Sequence, residues 1–183
     1  MDSVATILEP GPYALVEHLW HELDDRFGLR GIGVTPIPHF SWQIAAGYRF
    51  DVVESVLREV AREAKPMTVR TRGLGVFEGD APVVFVAVER TRDLEELHEA
   101  LWERLLPLAT SASPYYRTGT WVPHITLAQH DIDRERLLAV NEFLSKADLD
   151  WTVRVANLAV IEQPAGETAR LRARFDFVPE TST

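Results

Sequence analysis

The amino-acid sequence predicts an α+β fold of two pseudo-symmetric lobes, with mainly antiparallel sheets, helices on their outer faces and a central cleft. Three observations carry that reading. One short stretch occurs twice, as Pro38-His39-Phe40-Ser41-Trp42 and Pro123-His124-Ile125-Thr126-Leu127, each a proline, a histidine, an apolar residue, a small hydroxyl and an apolar residue. The chain after each copy also repeats, so that a strand, helix, strand and strand recur in units of about 38–89 and 123–177. Finally, the matches keep their spacing. The histidines lie 85 residues apart, while Thr68-Val69-Arg70 and Thr152-Val153-Arg154 lie 84 apart, as do Leu74, Val76, Glu78 and Leu158, Val160, Glu162. Residues 1–183 are therefore read as a single bilobal domain.

Taken in order, residues 5–9 form a short strand. Gly11-Pro12 opens a helix carrying the stripe Leu15, Leu19, Leu23, with Gly28 as its stop. His18 and His21 sit three apart on this helix and read as surface residues, since no third metal ligand accompanies them. The first motif strand runs over 39–46. Asp51-Val52-Val53-Glu54 resembles a capping box for a helix that Pro66 ends. Strands come next at 67–77 and 82–89, the second apolar on both faces and so central. Residues 91–106 form an amphipathic helix, with His98 read as solvated, and 111–121 a loop. The second motif strand covers 122–129, and Asp131 or Asp133 caps a helix to about Lys146. Strands at 151–162 and 168–177 close the chain, with 179–183 a frayed tail.

The totals exclude several classes of function. A net charge of −9 argues against a broad nucleic-acid surface but leaves room for one phosphate in a small cleft. No apolar run is long enough to span a bilayer. The absence of cysteine excludes disulfides, thiolate catalysis and Cys-ligated zinc, and suits a cytoplasmic setting.

In an extended strand, residues i and i+2 share a face. His39 and Ser41 therefore point one way and Phe40 and Trp42 the other, and His124 and Thr126 likewise oppose Ile125 and Leu127. Two imidazoles at one cleft can serve as general base and general acid near neutral pH, and two hydroxyls can donate to phosphate oxygens. That set suits in-line displacement at a phosphodiester without a metal or other cofactor. Gln43 shares the parity of His39 and Ser41. Tyr115, Tyr116 and Arg117, just before the second motif, could stack a base and contact phosphate.

These residues resemble the two-histidine phosphoesterase superfamily, the LigT-like or 2′-5′ RNA ligase-like proteins, whose hallmark is a pair of His-x-Thr/Ser motifs with apolar neighbours. The resemblance covers nearly the whole chain. It implies two α+β lobes flanking a cleft, with His39 and His124 catalytic and Ser41 and Thr126 phosphate-binding. It also implies action on 2′,3′-cyclic or related phosphodiesters of nucleotides or RNA ends. Two departures stand out. Ala128-Gln129 lies where many relatives carry an arginine, and Gln43-Ile44-Ala45-Ala46-Gly47 comes after the first motif instead of Phe-Leu-Gly. The expected activity is hydrolysis of a small or terminal phosphodiester with an optimum near neutrality. The alternatives are 2′-5′ RNA ligation and a catalytically silent nucleotide-binding module.

Overall fold

A computed structural model describes residues 1–178, so the expected tail at 179–183 lies outside the described residues. Two antiparallel sheets make the frame. The first has the order β5-β2-β1-β8-β9 and the second β6-β4-β3-β7. In chain order the elements are β1 (Asp2–Ile7), α1 (Pro10–Phe27), β2 (His39–Tyr48), α2 (Phe50–Glu63), β3 (Met67–Phe77), β4 (Val83–Val88) and α3 (Arg92–Leu105). They continue with β5 (Ala109–Ala112), β6 (His124–Ala128), α4 (Arg134–Leu144), β7 (Thr152–Val155), β8 (Asn157–Glu162) and β9 (Arg170–Asp176). Helices α2 and α3 pack on the first sheet, against β8, β9 and β2, while α1 packs on β6 of the second and on α4. None of the helices is long and apolar enough to cross a membrane among the described residues.

Local sequence explains most boundaries. Proline begins α1, and Gly28 ends it in the left-handed region at φ 68°, where a residue without Cβ is favoured. Its buried stripe is Val16, Leu19 and Leu23, whereas Leu15 is exposed, one position off the expected face. The capping box at Asp51 does not form. Strand β2 runs on to Tyr48, so the helix starts at Phe50 with Arg49 as its cap, leaving Asp51 inside the first turn. There its charge suits the positive end of the helix dipole. Thr91 and Asp133 cap α3 and α4 by accepting from the amides of Leu94 and Arg136.

Two expectations need correction. The segment 111–121 is not wholly loop, because β5 pairs with the edge of β2 at Ala45, Gly47 and Tyr48. Its Ala-Thr-Ser-Ala sequence has no apolar alternation to reveal it. The single strand expected at 151–162 is two strands that divide at Ala156. β7 joins the second sheet and β8 the first.

That division reveals the symmetry. Equivalent strands pair with each other across it: Thr68 faces Arg154, Val69 faces Val153 and Arg70 faces Thr152. The pseudo-two-fold axis therefore passes between Val69 and Val153. Beyond it, β8 lies beside β1 with Val4 opposite Val160, just as β3 lies beside β4 with Val84 opposite Val76. Next, Ile7 faces His39 and Ala5 faces Ser41, as Ala87 faces His124 and Phe85 faces Thr126. The equivalent elements are thus β1-α1-β2-α2-β3 and β4-α3-β6-α4-β7-β8, a grouping that starts before each motif strand and differs from units 38–89 and 123–177.

One continuous apolar core joins the lobes, including Phe40, Trp42, Val69, Trp121, Ile125 and Val153. Trp42 stacks on Trp121 at 5.3 Å between ring centroids and meets Phe40 at 5.1 Å. Each such ring contributes about 1.5–3 kcal/mol by leaving water.

Candidate active site

Both motif histidines open their strands. Pro38 and Pro123 come just before them, where no amide is needed, and their carbonyls accept from the amides of Leu8, just past β1, and Val88, the last residue of β4, at 3.1 and 3.0 Å. Each imidazole is then fixed by its own backbone. Nδ1 of His39 lies 2.5 Å from the carbonyl oxygen of Ile37, and Nδ1 of His124 lies 2.7 Å from that of Val122. A carbonyl only accepts, so Nδ1 carries the hydrogen and the neutral ring leaves Nε2 as an acceptor.

A bulge comes after each motif hydroxyl at the same place. The partners of Val4 and Ala5 are Gln43 and Ser41, and those of Val84 and Phe85 are Ala128 and Thr126, so Trp42 and Leu127 are the extra residues. An indole holds the backbone at both points. Trp121 Nε1 donates to the Ser41 carbonyl at 2.9 Å, and Trp20 Nε1 to that of Thr126 at 3.1 Å. The extra residue also reverses the alternation of side chains. Gln43, expected in the cleft from its parity, is fully buried and accepts from the Tyr48 hydroxyl at 3.1 Å. Ile44 and its counterpart Gln129 reach the cleft instead.

His39, Ser41, His124 and Thr126 line one cleft of about 880 Å³ between the sheets. Tyr115 and Tyr116 line it too, Tyr115 largely exposed and Tyr116 half-buried with its hydroxyl pKa raised by burial. Arg117 does not line it: its side chain is exposed, and its carbonyl anchors the turn to Thr120 and Trp121. Phe77 meets His124 edge-on at 4.9 Å, and Phe85 lies 5.1 Å from the same ring. Gly75 seats Phe85, since a Cβ there would fall 2.4 Å from its ring.

Burial controls the electrostatics. It lowers the His39 pKa to about 4, partly offset by the bond to Ile37 and reinforced by the charge of His124. His124 is lowered in the same way, again chiefly by burial. The charge on His124 also weighs on His39, so the two rings disfavour being charged together. Asp2 and Glu78 are the carboxylates lining the cleft. Among the described residues, no three His, Asp or Glu side chains are grouped as a metal site requires.

Several contributors escape a reading of sequence alone. Phe77, Gln129 and His130 line the cleft, the last two lying just past the bulge. His98, expected to be solvated, is 3% exposed. Its ring stacks on Trp121 at 4.0 Å, and its Nε2 lies 3.0 Å from the Tyr116 carbonyl oxygen. It backs the wall that carries Tyr116 and supports Ser41.

The sequence matches the model of the 2′-5′ RNA ligase superfamily over residues 9–167. A Bacillus licheniformis protein named provisionally as a phosphoesterase is 30% identical over 101 residues, covering 54% of this chain and 56% of the relative. A Bacillus pumilus protein similarly named is 34% identical over 102 residues, covering 55% and 56%. Each alignment spans a little over half the relative's length. Among solved structures, Escherichia coli LigT complexed with 3′-AMP matches at a TM-score of 0.59, 14% identity and 97% of each chain. A crystal structure of a phosphoesterase matches at 0.56, 15% identity and 97% of each chain. At these identities the structural likeness is one of fold.

Proposed function

The chain belongs to the 2′-5′ RNA ligase superfamily, and from that premise we propose that it hydrolyses 2′,3′-cyclic or related cyclic phosphates of nucleotides or RNA ends by paired histidine catalysis. One observation carries the reading: two imidazoles at equivalent positions line one cleft, each with Nδ1 tied to a carbonyl two residues back. That arrangement leaves both Nε2 atoms for proton transfer.

His39, its pKa lowered by burial to about 4, stays neutral and serves as the base. Its Nε2 takes a proton from water as the water oxygen forms a bond to phosphorus. His124 in its charged form gives its Nε2 proton to the ribose oxygen as that phosphorus–oxygen bond breaks. Ser41 and Thr126 donate to the non-bridging oxygens, where preorganised donors act on developing charge. The product is a phosphate monoester with a free neighbouring hydroxyl. Ligation needs a long RNA along the cleft, which Asp2 and Glu78 disfavour by charge, so a small or terminal diester fits better.

The test is turnover of 2′,3′-cyclic nucleotides followed by phosphorus NMR. His39→Ala and His124→Ala should each lower kcat by about 10²–10⁴-fold, with the double variant losing less than the product of the two. Undiminished turnover in either single variant would remove the mechanism. A binding module would show saturable binding of the cyclic nucleotide with no product.

A further inference from the structure

Strand β6 ends in a turn that its counterpart lacks. β2 continues to Tyr48, whereas beyond Ala128 the amide of Asp131 donates to the carbonyl of Gln129 at 2.9 Å, closing a three-residue turn on His130. His130 has φ 71°, the rare and strained form of this turn for a residue with a Cβ. Non-glycine residues held in the left-handed region cost of order 1–3 kcal/mol and persist where the surroundings fix them.

The surroundings do fix this one. The Asp131 carboxylate accepts from the amides of Arg30 and Gly31 at 2.5 and 2.7 Å. Gly31 comes so close that a Cβ there would sit 2.0 Å from the Gln129 carbonyl oxygen. The turn is therefore clamped on both sides, and its central side chain lines the cleft. Outside the two motifs, His130 is the one lining side chain able to carry positive charge, since neither lysine nor arginine lines the cleft among the described residues.

His130 lies four positions beyond Thr126, past the bulge at Leu127 and the end of β6, so its imidazole enters the cleft apart from the two motifs. We propose that His130 is a specificity-determining residue whose imidazole binds a second phosphate of the substrate, adjacent to the one at the motif histidines. The inference rests on the phosphoesterase reading for the identity of that first phosphate. It sets the preferred substrate as a nucleotide or RNA end carrying two phosphate groups one nucleoside apart.

Calorimetric binding tests it without turnover, using 3′-AMP and adenosine 3′,5′-bisphosphate. The wild-type protein should bind the bisphosphate about tenfold more tightly, the low end for a hydrogen bond to a charged group at a cleft rim. His130→Asn tolerates the same backbone but cannot be charged, and His130→Gly relieves the turn. Both should bring the two affinities within about twofold, and His130→Gly should do so without lowering Tm. A wild-type protein with no preference, or variants that keep it, would overturn the proposal. Failure to hydrolyse 2′,3′-cyclic nucleotides alongside an intact bisphosphate preference would overturn the catalytic reading alone.

Discussion

At the scale of single residues, the half-buried imidazoles set the conditions for the proposed chemistry. In the proposed mechanism, base catalysis requires neutral His39 and acid catalysis requires charged His124. His39 loses its neutral form only near pH 4, and His124 loses its proton below the ordinary value of 6.5. The profile of kcat/KM should therefore be a bell in the mildly acid range, below the neutral optimum expected from unperturbed imidazoles. A bound phosphodiester favours the charged ring, so both limbs of kcat should lie at higher pH than those of kcat/KM. An optimum of kcat/KM above pH 7.5 would contradict these protonation states.

The same burial links stability to pH. Unfolded, His39 titrates near 6.5, and folded near 4, so between these values the unfolded chain holds more protons. Stability is then full above about pH 6.5 and declines as the pH falls through 4, by at most about 3 kcal/mol for so depressed a group. Water entering the cleft reduces that figure. Urea unfolding at pH 7.5 and 4.5 should show a smaller loss in His39→Gln than in the wild type. An identical loss would assign the acid sensitivity to other groups.

At the scale of elements, the motif strands work because their bulges are pinned. Trp20→Phe and Trp121→Phe keep most of the ring surface but remove the donor to the Thr126 or Ser41 carbonyl. Each should cost about 1–2 kcal/mol in urea unfolding and raise the KM of a cyclic phosphate more than it lowers kcat. Equal kinetics in both variants would make the indoles purely structural. These bulges also mark where sequence stops being legible. The His-x-Ser/Thr spacing, the Asp133 cap and the 84-residue match all arise from local chemistry and periodicity. Strand parity places His39, Ser41, His124 and Thr126 on the cleft, but it fails at Gln43 because an inserted residue leaves no mark on the apolar pattern. Asn157 is equally silent in sequence. Fully buried, it accepts from the Ile7 amide at 3.0 Å and donates to the Ile7 carbonyl at 2.9 Å, so its side chain takes over strand pairing directly beside His39. His98 escapes for a related reason, since helical spacing cannot show that a loop carrying Trp121 will fold over that face.

At the scale of the whole molecule, the pseudo-two-fold gives the cleft a symmetric centre with asymmetric flanks. His39 and Ser41 correspond to His124 and Thr126, while Ile44 corresponds to Gln129, Ile161 to Phe77 and Ser3 to Val83, all on the cleft. Matched groups from the two sheets suit the near-symmetric phosphodiester, and unmatched ones suit its dissimilar ends. An anion in the centre then contacts both sheets at once, and the shared core around Trp42 and Trp121 leaves neither lobe able to open alone. Phosphate should therefore raise the stability of both lobes together. At a hundred times its Kd it contributes about 2.7 kcal/mol, or about 5–10 °C in Tm for a chain of this size. Fluorescence, dominated by the five tryptophans, and far-ultraviolet circular dichroism should report the same single transition and the same shift. In the double variant Ser41→Ala/Thr126→Ala the shift should shrink to a few degrees, since both hydroxyl donors are gone. Two separate transitions, with phosphate moving only one, would show that the anion sits on a single lobe and that the cleft does not bridge the sheets.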